Sequence, residues 1–355
     1  MNENSNKKRN ILKYVGDFSQ IFGIKEYIYS TGKSKGIKAF DFRNGSGLEF
    51  TVIADRCLDF SNLSFNGINC SYLSKTGIVS PNFYAEDDKS FLRNFYGGFL
   101  TTCGLRNVGS SCMDEGDFFG LHGRISNTPA EELCSHVEWI DDTPVLTLSG
   151  KVQESAFFGE NLILHRKIMC RYGENKIHIQ NTIENAGFRK EPLFVLFHFN
   201  FGYPLLDEDA VLISPTEKLI PYNERSLKGI ENYNKFQAPT HAYSEQVFYH
   251  HLRANTEDET CVALINNRLE LGVALRFDQK QFTNFTQWKQ MGESEYVVGL
   301  EPGNCKVDGR AKARKERNLQ YLEPGECKKF DIVIEIVNGT DKIKAIEDEI
   351  RRIGI

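Results

Sequence analysis

The stretch PLFVLFHFNFGYP, Pro192 to Pro204, reads as a β-strand whose two faces differ. With a period of two, Leu193, Val195, Phe197, Phe199 and Phe201 fall on one face, and that face is wholly apolar. Phe194, Leu196, His198 and Asn200 fall on the other, which begins apolar and turns polar just before the Gly202-Tyr203-Pro204 turn. A strand whose end opens into a cleft has this pattern. A lone strand histidine is more often a core residue satisfied by a backbone carbonyl; Asn200 on the same face shifts the reading toward a site.

Similar runs recur along the chain, punctuated by Gly, Asn, Asp and Pro. GLEFTVIADR (from Gly47), PVLTLSGKVQ (from Pro144), NLILHRKIMCRY (from Asn161) and NKIHIQNTIEN (from Asn175) read as strands. So do CVALINN (from Cys261), LGVALRFD (from Leu271), EYVVGLE (from Glu295) and KKFDIVIEIVNG (from Lys328). Short strands with turn residues between them indicate an all-β sandwich or barrel. Helical period is clear only in DKIKAIEDEIRRIGI, where Ile343, Ile346, Ile350 and Ile353 recur at steps of three or four, so a short C-terminal helix is expected to dock on the sheets. Residues 205–240 are polar and irregular and are expected to leave the sheets. With no linker or fixed-period repeat, residues 1–355 are read as a single domain: N-terminal strands over about 10–90, a central core over about 91–338 and the helix over about 340–355.

At 355 residues and 40% hydrophobic content, the chain can bury a large core. A formal charge of -5 with no sustained Lys/Arg block offers nothing to neutralise a phosphate backbone or an anionic bilayer, so neither nucleic acid nor membrane is expected as a partner. The opening MNENSNKKRNILK lacks the apolar stretch of a signal peptide, and the expected location is cytoplasmic. Nine cysteines without a C-x-x-C pair read as reduced, mostly buried thiols.

Three further features bear on chemistry. In DFFGLHGRISNTPA, His122 lies between Gly120 and Gly123, which permit close ligand approach, and Arg124 supplies a rigid donor fork; an ordinary surface loop is the plain alternative. FYGGFLTTCGLRNVG carries Arg106 and Asn107 near its end, and these could bind hydroxyls or simply form a turn. LEPG occurs twice, so Glu301 and Glu323 share a local sequence: Glu301 ends an apolar strand, whereas Glu323 precedes a turn and an alternating strand. The remaining histidines read mostly as surface or structural residues. A metal site built from His122, His165, His198 and carboxylates is conceivable, but no H-x-H cluster supports one.

Taken in order, LHG at Leu121, H-x-N-F at His198, EQVF at Glu245 and LE at Leu300 resemble the aldose 1-epimerases, or galactose mutarotases. GGFLTTCGL, GLHGR, HFNFGYPLLDE, YSEQVFYH, QWK and LEPGN extend that resemblance over about Gly97 to Asn304. It implies a large twisted β-sandwich with an open sugar groove. By resemblance His198 is the general acid on the ring oxygen and Glu301 the general base on the anomeric hydroxyl. His122, Arg124, Asn107, Asn200, Glu245 and Gln287 would contact the sugar. Two departures bear on substrate identity: His198 is followed by F-N-F-G rather than x-Y-F-N, and Glu301 by Pro302-Gly303 rather than T-Q.

Anomer interconversion opens a hemiacetal by removing a proton from O1 and supplying one to O5. It requires one base and one acid, with no cofactor and no metal. On reference values Glu301 would be ionised, and a histidine facing anions would hold its proton. The expected partner is a small sugar or sugar derivative, and the expected state a monomer or homodimer. A non-catalytic sugar-binding or regulatory module on the same scaffold is the competing reading, followed by a different sugar isomerase, metal-dependent or not. A pure binder needs neither His198 nor Glu301 at the anomeric centre, and both are present.

Overall fold

The computed structural model describes residues 7–354; Met1 to Asn6 and Ile355, the two ends of the expected domain span, lie outside the described residues. Three antiparallel sheets dominate. The largest has nine strands. Eight of them run in the order Glu131–Ile140, Thr143–Ser155, Asn161–Arg171, Lys176–Asn185, Ile332–Asn338, Leu271–Asp278, Glu259–Asn266 and Ala210–Ile213. The ninth, Cys327–Lys329, lies off that path and pairs with Lys176–Asn185. A six-stranded sheet runs Thr216–Pro221, Gln246–Leu252, Asn284–Gly292, Glu295–Gly303, Phe194–Phe201, Leu100–Leu105. A five-stranded sheet, Gly23–Ile28 to Ile68–Asn69, supplies the N-terminal strands.

The wholly apolar face of the Phe194–Phe201 strand looks into the sandwich. Val195, Phe197, Phe199 and Phe201, with Leu193 just before them, join Leu146, Leu164 and Ile179 of the nine-stranded sheet and Phe42 and Phe50 of the five-stranded sheet in one cluster. Each such side chain contributes roughly 1.5–3 kcal/mol on burial. On the opposite face Phe194 and Leu196 pack with Cys103 and Val108 in a small separate cluster. His198 and Asn200 follow them on that outer face, where the sequence pattern turns polar. Behind the strand, Arg166 and Asp59 form a buried ion pair at 2.8 Å, and Asp59 accepts from the Thr102 backbone N–H at 2.7 Å. Asp59 thereby joins all three sheets.

The C-terminal helix spans Thr340–Ile353. Ile343, Ile346 and Ile350 bury against Cys261, Ala263, Ile265, Ala274 and Val337 on the outer face of the nine-stranded sheet, with Ile353 partly covered at the edge. Two expectations are corrected. The segment 205–240 does not leave the sheets throughout: Ala210–Ile213 and Thr216–Pro221 are edge strands of the two large sheets, the first an apolar run of only four residues and the second, TEKLIP, mixed in polarity, so neither stands out in sequence. Residues 10–22 carry the end of helix Lys7–Ile11 and the turn Phe18–Gln20 rather than strand, which starts at Gly23. Among the described residues all nine cysteines are free, five of them buried, and no helix is long and apolar enough to cross a membrane.

Candidate active site

Strand register brings the two candidate catalytic residues together. Phe199 pairs with Leu300 between neighbouring strands, which sets His198 against Glu301 on the outer face. His198 Nε2 lies 3.1 Å from Glu301 Oε1, and the two side chains are only 6% and 2% exposed. Among the described residues His198 Nδ1 has no hydrogen-bond partner, and Glu301 Oε1 makes no hydrogen bond of good geometry. On the next strand Thr286 pairs with Glu301, and its buried hydroxyl is likewise unpartnered among the described residues. Gly299 makes room for the pair: a Cβ there would lie 2.4 Å from Glu301 Oε1 and 3.0 Å from His198 Cε1.

Burial works against the expected ionised pair. Desolvation, then the neighbouring His122, lowers His198 to about 3, with the Asn200 side chain opposing. Desolvation, then repulsion from Glu245, raises Glu301 well above the ordinary carboxylate value. Burial thus favours the neutral form of both groups.

His122 sits above this pair, its ring centroid 5.8 Å from that of His198. Its backbone is left-handed at φ 57°, and Nδ1 accepts from the Gly109 N–H at 3.4 Å, which leaves Nε2 as the protonated nitrogen. Burial lowers His122 to about 4. The following Gly123 is required by packing, since a Cβ would meet the Gly104 carbonyl oxygen at 2.2 Å. Arg124 reaches Glu86 at 2.9 Å at the rim. Glu245, exposed, accepts from Trp288 Nε1 at 2.7 Å.

Other expected contacts are placed differently. Asn107 is fully buried: its amide donates to Gly120 O at 2.7 Å and Ser110 O at 3.2 Å, and its oxygen accepts from the Arg310 N–H at 2.8 Å. It braces the loop carrying His122 and has no free donor for a sugar. Gln287 pairs with Leu300, so it shares the inner face; its amide oxygen meets His250 Nε2 at 3.1 Å, and its amide nitrogen donates to Tyr233 O at 2.7 Å. Asn200 is on the expected face but fully buried, donating to His198 O and Gly97 O, while its oxygen is unpartnered among the described residues. Arg106 is held by Glu160 at 2.9 Å.

Trp288, rather than its neighbour Gln287, faces the candidate site. It pairs with Gly299 on the outer face, and its ring lies 5.5 Å from His198. Phe95 stands 5.6 Å from His198, and Phe91 lies 5.0 Å from His122. The strand period separates Trp288 from Gln287 only once the register with Glu301 is known. Nothing in local sequence marks Phe91 and Phe95 as a cover. Among the described residues no group of three or more His, Cys, Asp or Glu is arranged to hold a metal ion.

This sandwich, with its polar outer face, has the galactose mutarotase-like fold. The chain aligns over 98% of its length with 90% of a provisionally named aldose 1-epimerase from Klebsiella pneumoniae, at 24% identity and a TM-score of 0.90. A galactose mutarotase-like protein from Clostridium acetobutylicum aligns with 90% of this chain and 99% of its own at 14% identity, TM-score 0.61. Galactose 1-epimerase from Lactobacillus acidophilus aligns with 90% of this chain and 100% of its own at 13% identity, TM-score 0.56. By sequence the chain belongs to the DUF4432 family, described as a domain of unknown function, whose pattern matches residues 34–336. No curated protein matches it.

Proposed function

We propose that this protein interconverts the anomers of an aldose by acid/base ring opening. The observation that carries the reading is the buried His198–Glu301 pair, 3.1 Å apart, with an unpartnered atom on each residue among those described. Glu301 takes the proton from O1 while His198 gives one to O5. The C1–O5 bond breaks, the open-chain aldehyde turns about C1–C2, and closure on the other face reverses both transfers. One proton moves on and one moves off the pair, so its protonation state is restored each turnover. Chemistry in this direction needs the transferable proton on His198. Hydrogen bonds from sugar hydroxyls to the Glu301 carboxylate replace the solvation that burial removes. Each positioned proton transfer supplies about 10²–10⁴ in rate.

Trp288 and Phe95 offer apolar walls to the sugar ring, and His122 Nε2 and Glu245 offer a donor and an acceptor to its hydroxyls. NMR exchange between α and β anomers, run over aldoses, uronates and sugar phosphates, tests the reading. At least one sugar is expected to exchange faster than in buffer, and His198→Ala and Glu301→Gln are each expected to remove the acceleration. Binding without acceleration across the panel would replace the enzyme with a sugar-binding module.

A further inference from the structure

A group of exposed aromatic side chains lies on loops outside the candidate site. Phe157, Phe158 and Phe188 are 89%, 87% and 97% exposed. They occupy two adjoining loops at one end of the nine-stranded sheet, between Thr143–Ser155 and Asn161–Arg171 and after Lys176–Asn185. The loops are tied together: Ala186 N–H donates to Asn161 O at 2.9 Å, and the Arg189 guanidinium to Phe158 O at 2.6 Å. Phe157 and Phe158 also touch, with ring centroids 4.2 Å apart. Single exposed apolar residues need no explanation; three large rings on adjoining loops do.

Their display is built into the backbone. Phe158 has φ +64°, a conformation that a bulky residue rarely adopts. Gly159 N–H to Ala156 O and Ala156 N–H to Glu160 O, at 2.9 and 3.0 Å, close the turn that holds it there. We propose that these three phenylalanines form a two-fold interface joining two copies of this chain. At the exposures given, the rings present roughly 500 Å² per protomer, so their full coverage in a symmetric pair would bury about 1,000 Å², the lower threshold for a specific interface. A two-fold axis lets one patch complement itself. The charges disfavour an anionic bilayer. Arg189 is bound to Phe158 O, and Lys190 to Glu323 at 2.6 Å, so the described residues of these loops present no free basic cluster.

Sedimentation velocity over a dilution series tests this. The wild type is expected to dimerise, and Phe157→Ser, Phe158→Asn and Phe188→Ser combined to weaken the dimer at least about 100-fold. Asparagine tolerates the left-handed position, and circular dichroism checks the fold. Phe188→Glu alone is a second variant that sets like charges near the axis and is expected to weaken the dimer too. A wild type that stays monomeric throughout, or variants that dimerise as the wild type does, would overturn the proposal. So would a monomer that binds phosphatidylserine vesicles through these rings.

Discussion

Replacing Gly299 by alanine adds one methyl group at the centre of the candidate site. Its Cβ would stand 2.4 Å from Glu301 Oε1, 3.0 Å from His198 Cε1 and 3.2 Å from Trp288 Cβ. Ordinary contact begins near 3.4 Å, so the carboxyl oxygen must retreat by about 1 Å. Gly299 is not in the left-handed region, and the closest atom ends a flexible side chain, so the backbone need not change. Overpacking of this buried site is therefore expected to cost about 1–3 kcal/mol of stability. A displacement of about 1 Å in a reacting group costs on the order of 10² in rate. Anomer exchange followed by NMR should fall about 100-fold, with urea unfolding showing a protein still folded and weakened by no more than about 3 kcal/mol. Full activity in Gly299→Ala, alongside inactivity in Glu301→Gln, would refute the tight placement of the carboxylate on which the mechanism depends.

The twin LEPG motifs give a second test: Glu301→Gln should reduce exchange at least about 100-fold, while Glu323→Gln, whose side chain is 59% exposed beside Lys190, should leave it unchanged. His250, buried between Thr216 and Gln287, is lowered from 6.5 to about 4, so its contribution to stability is complete above pH 6.5 and lost as pH falls toward 4. Urea unfolding at pH 7 and pH 5 should show the wild type losing about 2 kcal/mol more than His250→Gln. Asn107→Ala removes hydrogen bonds to Gly120, Ser110 and Arg310 and should cost about 3 kcal/mol in urea unfolding. A change in sugar affinity without that loss would restore Asn107 to the sugar contacts.

The Leu193–Phe201 stretch is legible in sequence because a strand has only two faces, and five apolar residues on one of them leave a single orientation against the core. The terminal helix is legible for the same reason, its isoleucines making one stripe. Glu301 and Glu323 separate only through their partners, since their local sequences agree. The face of Gln287 depends on register with Glu301, which single-strand periodicity does not give. Asn107 misleads because an amide spent on three backbone groups looks in sequence like one free to bind. Charge states are the least legible. Reference values describe water, and both His198 and Glu301 are withdrawn from it by the aromatic rings and strands around them.

Register is what joins the core to the chemistry. A one-residue slip of the Phe194–Phe201 strand would turn His198 into the sandwich and set phenylalanines on the outer face. A two-residue slip would keep the faces but carry His198 about 7 Å along the strand, beyond reach of Glu301. The first error is opposed by every phenylalanine on the inner face. The second needs specific locks, and Asn304 is one: its oxygen accepts from the Val195 N–H at 2.7 Å and its amide donates to Leu193 O at 2.9 Å. Asn304 bonds to neither His198 nor Glu301, yet it follows Glu301 by three residues and grips the start of the histidine strand. The carboxylate and the imidazole are thus aligned by a clasp at the far end of the same strand pair.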